Sequence, residues 1–151
     1  MNDPALPKTE FEVLAIFRYQ LRRFFHLSEQ LTRQPGIPNL QYLLLLQFKG
    51  FPKREWATIT ELAERLQSKH PGVVALVTRC EKLGLVKRHP GRSDGREVEV
   101  HLTGTGERAV DRLARLHRDG LVRLGGVSAV PSKERLMQRV GKNAARRRIT
   151  S

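Results

Sequence analysis

The sequence predicts a mainly α-helical chain with one small antiparallel β-hairpin. Three observations carry this prediction. Apolar residues recur at helical spacing over residues 9–31 and 73–80. The segment "REVEVHL", Arg96 to Leu102, alternates strictly between polar and apolar. A glycine-broken loop, Pro90 to Gly95, joins it to the short strand "LVKRH". At 151 residues the simplest arrangement is a single domain.

The first helix is expected over Thr9 to Leu31. Phe11, Leu14, Phe17, Leu21, Phe24, Phe25 and Leu31 recur near helical spacing, and Val13, Ile16 and Leu27 widen the stripe. A helix apolar around so much of its circumference must bury more than one face, which in a chain this short points to a partner subunit. Pro35, Gly36 and Pro38 stop it. A second helix is expected over Asn39 to Lys49, ended by Gly50 and Pro52. Its "YLLLLQF" is too short for the roughly 20 residues of a membrane span and reads as a buried helix.

In "WATITELAERL", Trp56 to Leu66, Thr60 can cap a short helix, while Thr58 and Glu61 also fit a capping box. Leu62, Ala63 and Leu66 give that helix one apolar face. After the connector "QSKHPG", Val73, Leu76, Val77 and Cys80 share one side of a further helix, a narrow buried stripe. Gly84 is the residue expected just past its end. The outward side carries Pro71, Val74, Ala75, Thr78 and Lys82, with Arg79 on its flank, a surface that is small, lightly polar and basic.

In the hairpin, a two-residue Asp94-Gly95 turn would send Val86 to the polar face. Val86 is therefore placed opposite Leu102, with the loop centred on Asp94. Val98, Val100 and Leu102 then share one face, and Glu97, Glu99 and His101 form the polar one. Thr103 caps a helix running to about Asp119, with Val110, Leu113 and Leu116 or His117 on one side. Gly120, Gly125, Gly126 and Pro131 interrupt the next stretch of chain, Ser132 to Val140 reads as one more helix, and "KNAARRRITS" reads as a disordered basic tail.

Lys and Arg total 28 against 15 Asp and Glu, giving a formal net charge of +13 and a pI near 11.0. Small soluble domains usually carry a net charge of about 2 to 8 in magnitude, so this excess points to a polyanion. Nucleic acid is preferred to an acidic membrane, because no basic amphipathic helix with an aromatic face stands out. The charge is also concentrated. Arg65, Lys69, Arg79, Lys82, Lys87, Arg88, Arg92 and Arg96 fall in one stretch that holds two acids, Glu81 and Asp94. A capped short helix, a connector, a second helix and a basic hairpin make up a winged helix-turn-helix. The second helix of that arrangement lies in the major groove and the hairpin loop meets the neighbouring minor groove. The DNA-binding lobe is expected over residues 38–102, with dimerisation helices over 8–33 and 103–140 and the tail over 141–151.

From Asn39 to Gly106 the chain resembles the MarR (multiple-antibiotic-resistance regulator) family of bacterial transcription factors. The resemblance rests on "NLQYLLLL", "TITELAERL", "LVTRCEKLGLVKR" and "DGREVEVHLTGTG", in that order, and above all on Asp94-x-Arg96 followed by Leu102-Thr103-x-x-Gly106. It implies a homodimer with interlocked terminal helices, bound to a pseudo-palindromic operator and often released by a small-molecule effector or an oxidant. It also implies that Asp94 and Arg96 hold the wing, that Arg96 with Arg92 enters the minor groove, and that His70, Val74, Thr78 and Arg79 face the major groove. Lys69, Lys82 and Arg88 complete the expected DNA-binding set. The chain departs from the family at Pro71-Gly72-Val73-Val74-Ala75, where many members read Ser-Thr-Val-Thr-Arg. Thymine-methyl and backbone contacts are expected to carry more of the recognition there.

Enzymatic chemistry has no motif to stand on. The histidines His26, His70, His89, His101 and His117 are scattered away from zinc-ligand spacing, and phosphate-loop, nucleophile-elbow and HExxH signatures are lacking. A regulator needing neither metal nor cofactor is expected. The single cysteine, Cys80, forms no intrachain disulfide and, with no secretory or membrane segment in the sequence, implies a cytoplasmic location. Cys80 fits an oxidant sensor beside Arg79 and Lys82 less well than a small core residue. Arg18, Tyr19 and Trp56 are candidates for an effector cavity, set against core packing for Trp56 and a solvated face for Arg18. Two other functions compete: an architectural DNA-binding module with little sequence preference, and a winged-helix protein-interaction domain.

Overall fold

The computed structural model describes residues 5–33, 35–91 and 97–125. In chain order these form α1 (Lys8–Arg33), α2 (Asn39–Lys49), β1 (Trp56–Thr58), α3 (Ile59–Leu66), α4 (His70–Lys82), β2 (Val86–Pro90), β3 (Val98–Leu102) and α5 (Gly104–Arg123). They fall into two compact units, Leu27–Gly120 on the one hand and residues 5–26 with 121–125 on the other. Among the described residues no helix is long and apolar enough to cross a membrane.

The larger unit is a winged helix. Its core is one cluster drawn from α2 to α5 and the sheet: Leu44, Leu45 and Phe48 of α2, Leu62 of α3, Val73, Val77 and Cys80 of α4, Val86 and Val100 of the sheet, and Val110 and Leu113 of α5. The stripe expected on α4 is the buried one, since Val73, Leu76, Val77 and Cys80 are the helix's buried residues. Gly84 adopts φ +72° just after α4, a left-handed conformation that a side chain disfavours and that turns the chain into β2. The hairpin register places Val86 opposite Leu102, as the alternation requires.

The sheet has three strands rather than two, in the order β1-β3-β2. Trp56–Thr58 is a strand pairing antiparallel with β3, Trp56 opposite His101 and Thr58 opposite Glu99. The start of α3 moves accordingly. Thr58, not Thr60, is its cap: the Thr58 hydroxyl accepts from the Glu61 N–H at 3.3 Å and the Glu61 carboxylate accepts from the Thr58 N–H at 2.9 Å. Covering β3 with β1 also changes its polar face. Glu99, expected in solvent, is 4% exposed and pairs with His101 Nε2 at 2.9 Å.

The sequence places a helix break at Gly120, yet α5 passes through it to Arg123. The position is a close approach: a Cβ there would fall 2.7 Å from Leu27 Cδ2 of α1. Of the two candidates for the inner side of α5, His117 is buried and Leu116 is 37% exposed. His117 Nδ1 lies 2.8 Å from the Leu113 carbonyl, which can only accept, so Nδ1 is the donor there. Nε2 lies 2.9 Å from Ser28 Oγ, and the ring stacks on Tyr42 at 4.2 Å. The helix expected over Ser132 to Val140, the breaks at Gly126 and Pro131, and the basic tail lie outside the described residues.

In the smaller unit α1 presents Phe11, Leu14, Ile16, Tyr19 and Phe25 to solvent, each more than 40% exposed. That is an unusual amount of uncovered aromatic and aliphatic surface for one helix.

Candidate nucleic-acid interface

The geometry of α4 follows from its buried stripe. With Val73, Leu76, Val77 and Cys80 inward, Lys69, His70, Val74, Arg79 and Lys82 are exposed and Thr78 is partly so. Lys69 at the N-cap makes no side-chain cap and Pro71 occupies the first turn, so the start of the helix is not closed by the protein's own side chains. Beside it lies a cleft of about 310 Å³ lined by Thr58, Ile59, Thr60, His70, Val74, Arg88, Glu97 and Val98. The starts of α3 and α4 and the base of the hairpin therefore converge on one surface. Arg92, Asp94 and Arg96, expected in the wing loop, lie outside the described residues.

Thr78 and Arg88 are engaged within the protein. The Thr78 hydroxyl donates to the Val74 carbonyl at 3.0 Å and accepts from Arg88 Nη2 at 2.8 Å. Arg88 Nη2 also reaches the Val74 carbonyl at 3.3 Å, while Nη1 donates to Glu81 Oε1 at 3.1 Å and the Arg88 N–H donates to Glu81 Oε2 at 2.9 Å. Sequence reasoning counted Glu81 only as a charge. The available signal was its position: it stands in the last turn of α4, and a tight turn at Gly84 returns Arg88 alongside it.

Cys80 has no exposure, and burial pushes its thiol up to about 11 against the opposing pull of Arg79. A thiol held neutral in the core is a packing residue, not a reactive thiolate. Of the three effector candidates, Arg18 and Tyr19 are exposed on α1, with Arg23 over the Tyr19 ring at 5.8 Å. Trp56 is half-buried in β1, where Arg54 lies over its ring at 4.0 Å and His101 stacks on it at 6.0 Å. Arg54 also covers Phe51 at 4.2 Å, Arg65 covers Phe51 at 4.6 Å, and His89 meets His101 edge-on at 4.8 Å. Sequence reasoning missed this run of guanidinium groups and rings, because its members lie on five separate segments. Among the described residues no group of three or more His, Cys, Asp or Glu can hold a metal ion.

Residues 36–97, which contain α2 through β2 and end just before β3, match the sequence profile of the MarR family. Over that segment the winged-helix lobe is similar to the MarR family. Over 105 residues the chain is 28% identical to the HTH-type transcriptional regulator YfiV of Bacillus subtilis strain 168, a match covering 68% of this chain and 62% of the length of that relative. The fold is similar to that of AbsC, a MarR family transcriptional regulator from Streptomyces coelicolor, with a TM-score of 0.73 at 19% identity over 99% of this chain and 100% of that one. It is also similar to Sco3205, a MarR family transcriptional regulator from the same organism solved in complex with DNA. There the TM-score is 0.68 at 25% identity over 96% and 91% of the two chains. In this lobe the Thr103-x-x-Gly106 step has a local cause. The Thr103 hydroxyl accepts from the Gly106 N–H at 3.1 Å and donates to the Gly84 carbonyl, tying the start of α5 to the turn between α4 and β2.

Proposed function

We propose that the chain is a sequence-specific, double-stranded-DNA-binding transcriptional regulator acting as a homodimeric repressor. Each copy sets α4 in a major groove and the wing in the adjacent minor groove of a pseudo-palindromic operator, the two recognition helices lying about 34 Å apart. The observation that carries this is the exposed side of α4, with Lys69, His70, Val74, Arg79 and Lys82 outward in a lobe similar to the MarR family. The solved complex of Sco3205 with DNA supports the partner. The uncovered apolar residues of α1 support the dimer. A small-molecule effector regulates such a protein only by binding the released state more tightly than the DNA-bound one.

Salt titration and competition test the proposal. With six or more phosphate contacts, affinity for duplex DNA falls with a log–log slope of about −5 or steeper, and unrelated duplex competes at least about 10³-fold less well than the selected site. A flat salt response means a protein partner instead. The Pro71-Gly72-Val73-Val74-Ala75 turn leaves few side-chain hydrogen-bonding groups on the first turns of α4, and the Thr78 hydroxyl further along is bonded internally; both favour a second reading, an architectural module of low specificity. A preference of only about tenfold over unrelated duplex would support that second reading.

A further inference from the structure

The proposed contact surface has two moving parts, a helix and a hairpin, and nothing in DNA itself fixes the angle between them. Within the protein they share the core of Val77, Cys80, Val86 and Val100, and on the outer side one polar group joins them. Glu81 receives the Arg88 backbone N–H on one carboxylate oxygen and the Arg88 guanidinium on the other, and the far side of that guanidinium donates to Thr78 Oγ1 and the Val74 carbonyl. Four hydrogen bonds thus join the first strand of the wing to two successive turns of α4. A paired, charge-assisted fork of this kind restricts orientation more than a single exposed ion pair does. The pair is partly screened, with side-chain exposures of 40% for Glu81 and 28% for Arg88, so its effect lies in geometry rather than in bulk stability.

We propose that Glu81 is a positioning residue that fixes the wing against the recognition helix by clasping Arg88, thereby setting the discrimination between DNA sequences. The clasp also withholds Thr78 from base contact and neutralises Arg88, so specificity is obtained at the expense of one phosphate-binding cation. This inference rests on the regulator reading for its DNA consequences but not for its structural one.

Glu81→Ala in the full chain tests both. In the free protein, hydrogen exchange at the Arg88 amide speeds up relative to the rest of β2; an unchanged rate overturns the clasp whatever the protein binds. With DNA, the ratio of affinities for the selected site and for unrelated duplex falls by about tenfold, the worth of one well-made base contact. Affinity for unrelated duplex holds or rises, and its salt slope steepens by about one as Arg88 is released to phosphate. A destabilised fold would weaken both DNAs together. Thr78→Val, which keeps the side chain's shape and removes only the hydroxyl that accepts from Arg88, shifts ratio and slope the same way by a smaller amount. Parental ratio and slope in both variants overturn the proposal. A parent chain that binds no duplex with a steep salt slope overturns the regulator reading instead, and the exchange measurement still decides the clasp.

Discussion

At Gly106 a Cβ would fall 1.9 Å from the Leu85 carbonyl oxygen and 2.9 Å from its carbon, a collision with backbone that no rotamer relieves. Gly106→Ala is therefore expected to destabilise the fold by about 3 kcal/mol, the upper end of overpacking, read as a lower urea midpoint at unchanged slope. The glycine was legible in the sequence as part of a motif, but its reason was not, because Leu85 is 21 positions away in the chain and the approach is created by the turn at Gly84. Residues whose environment is set by their own helix were easier. Val73, Leu76, Val77 and Cys80 declared their burial by spacing alone, and the neutral thiol of Cys80 follows from that. Glu99 marks the limit: alternation placed it on the polar face, yet it is buried in the middle strand, between Thr58 of β1 and His89 of β2.

Among the elements, α3 shows how a local pattern can be right and its neighbour hidden. The capping box at Thr58 and Glu61 was readable because both partners lie within four residues. β1 was not, since three residues carry no periodicity and its partner β3 lies more than 40 residues on. The cap has a pH signature. Burial alone would raise the Glu61 carboxyl, but the Thr58 N–H and the Arg54 guanidinium together hold it below its ordinary value of 4.5. The folded state thus favours the ionised form. Its contribution is complete above the unfolded value and is lost as pH falls below 4.5 and through the lowered folded one. Glu61→Gln is expected to flatten the acid limb of a stability-against-pH profile, measured by denaturant titration between about pH 3 and 7. Thr58→Ala is expected to lower stability at neutral pH by about 1 kcal/mol.

On the scale of the whole molecule, the order of four helices, a basic hairpin and a further helix was legible, because charge and periodicity are cumulative signals. The clasp between Glu81 and Arg88 was not, for a pairing across a turn leaves no period to count. The same logic applies to α1, whose excess of apolar residues already asked for a partner and whose Phe11, Leu14, Ile16, Tyr19 and Phe25 remain uncovered in the single chain. Replacing Phe11 and Leu14 together by Glu is expected to yield a monomer by light scattering. On the proposed dimeric reading, affinity for the operator should then drop by about 10² or more, because the second recognition helix is no longer tethered to the first.

Trp56 is the chain's single tryptophan, and Arg54 and His101 stand on its indole. Its ultraviolet emission therefore comes from one known address, at the seam where β1 meets β3, and the protein carries its own optical gauge of that seam without any attached dye.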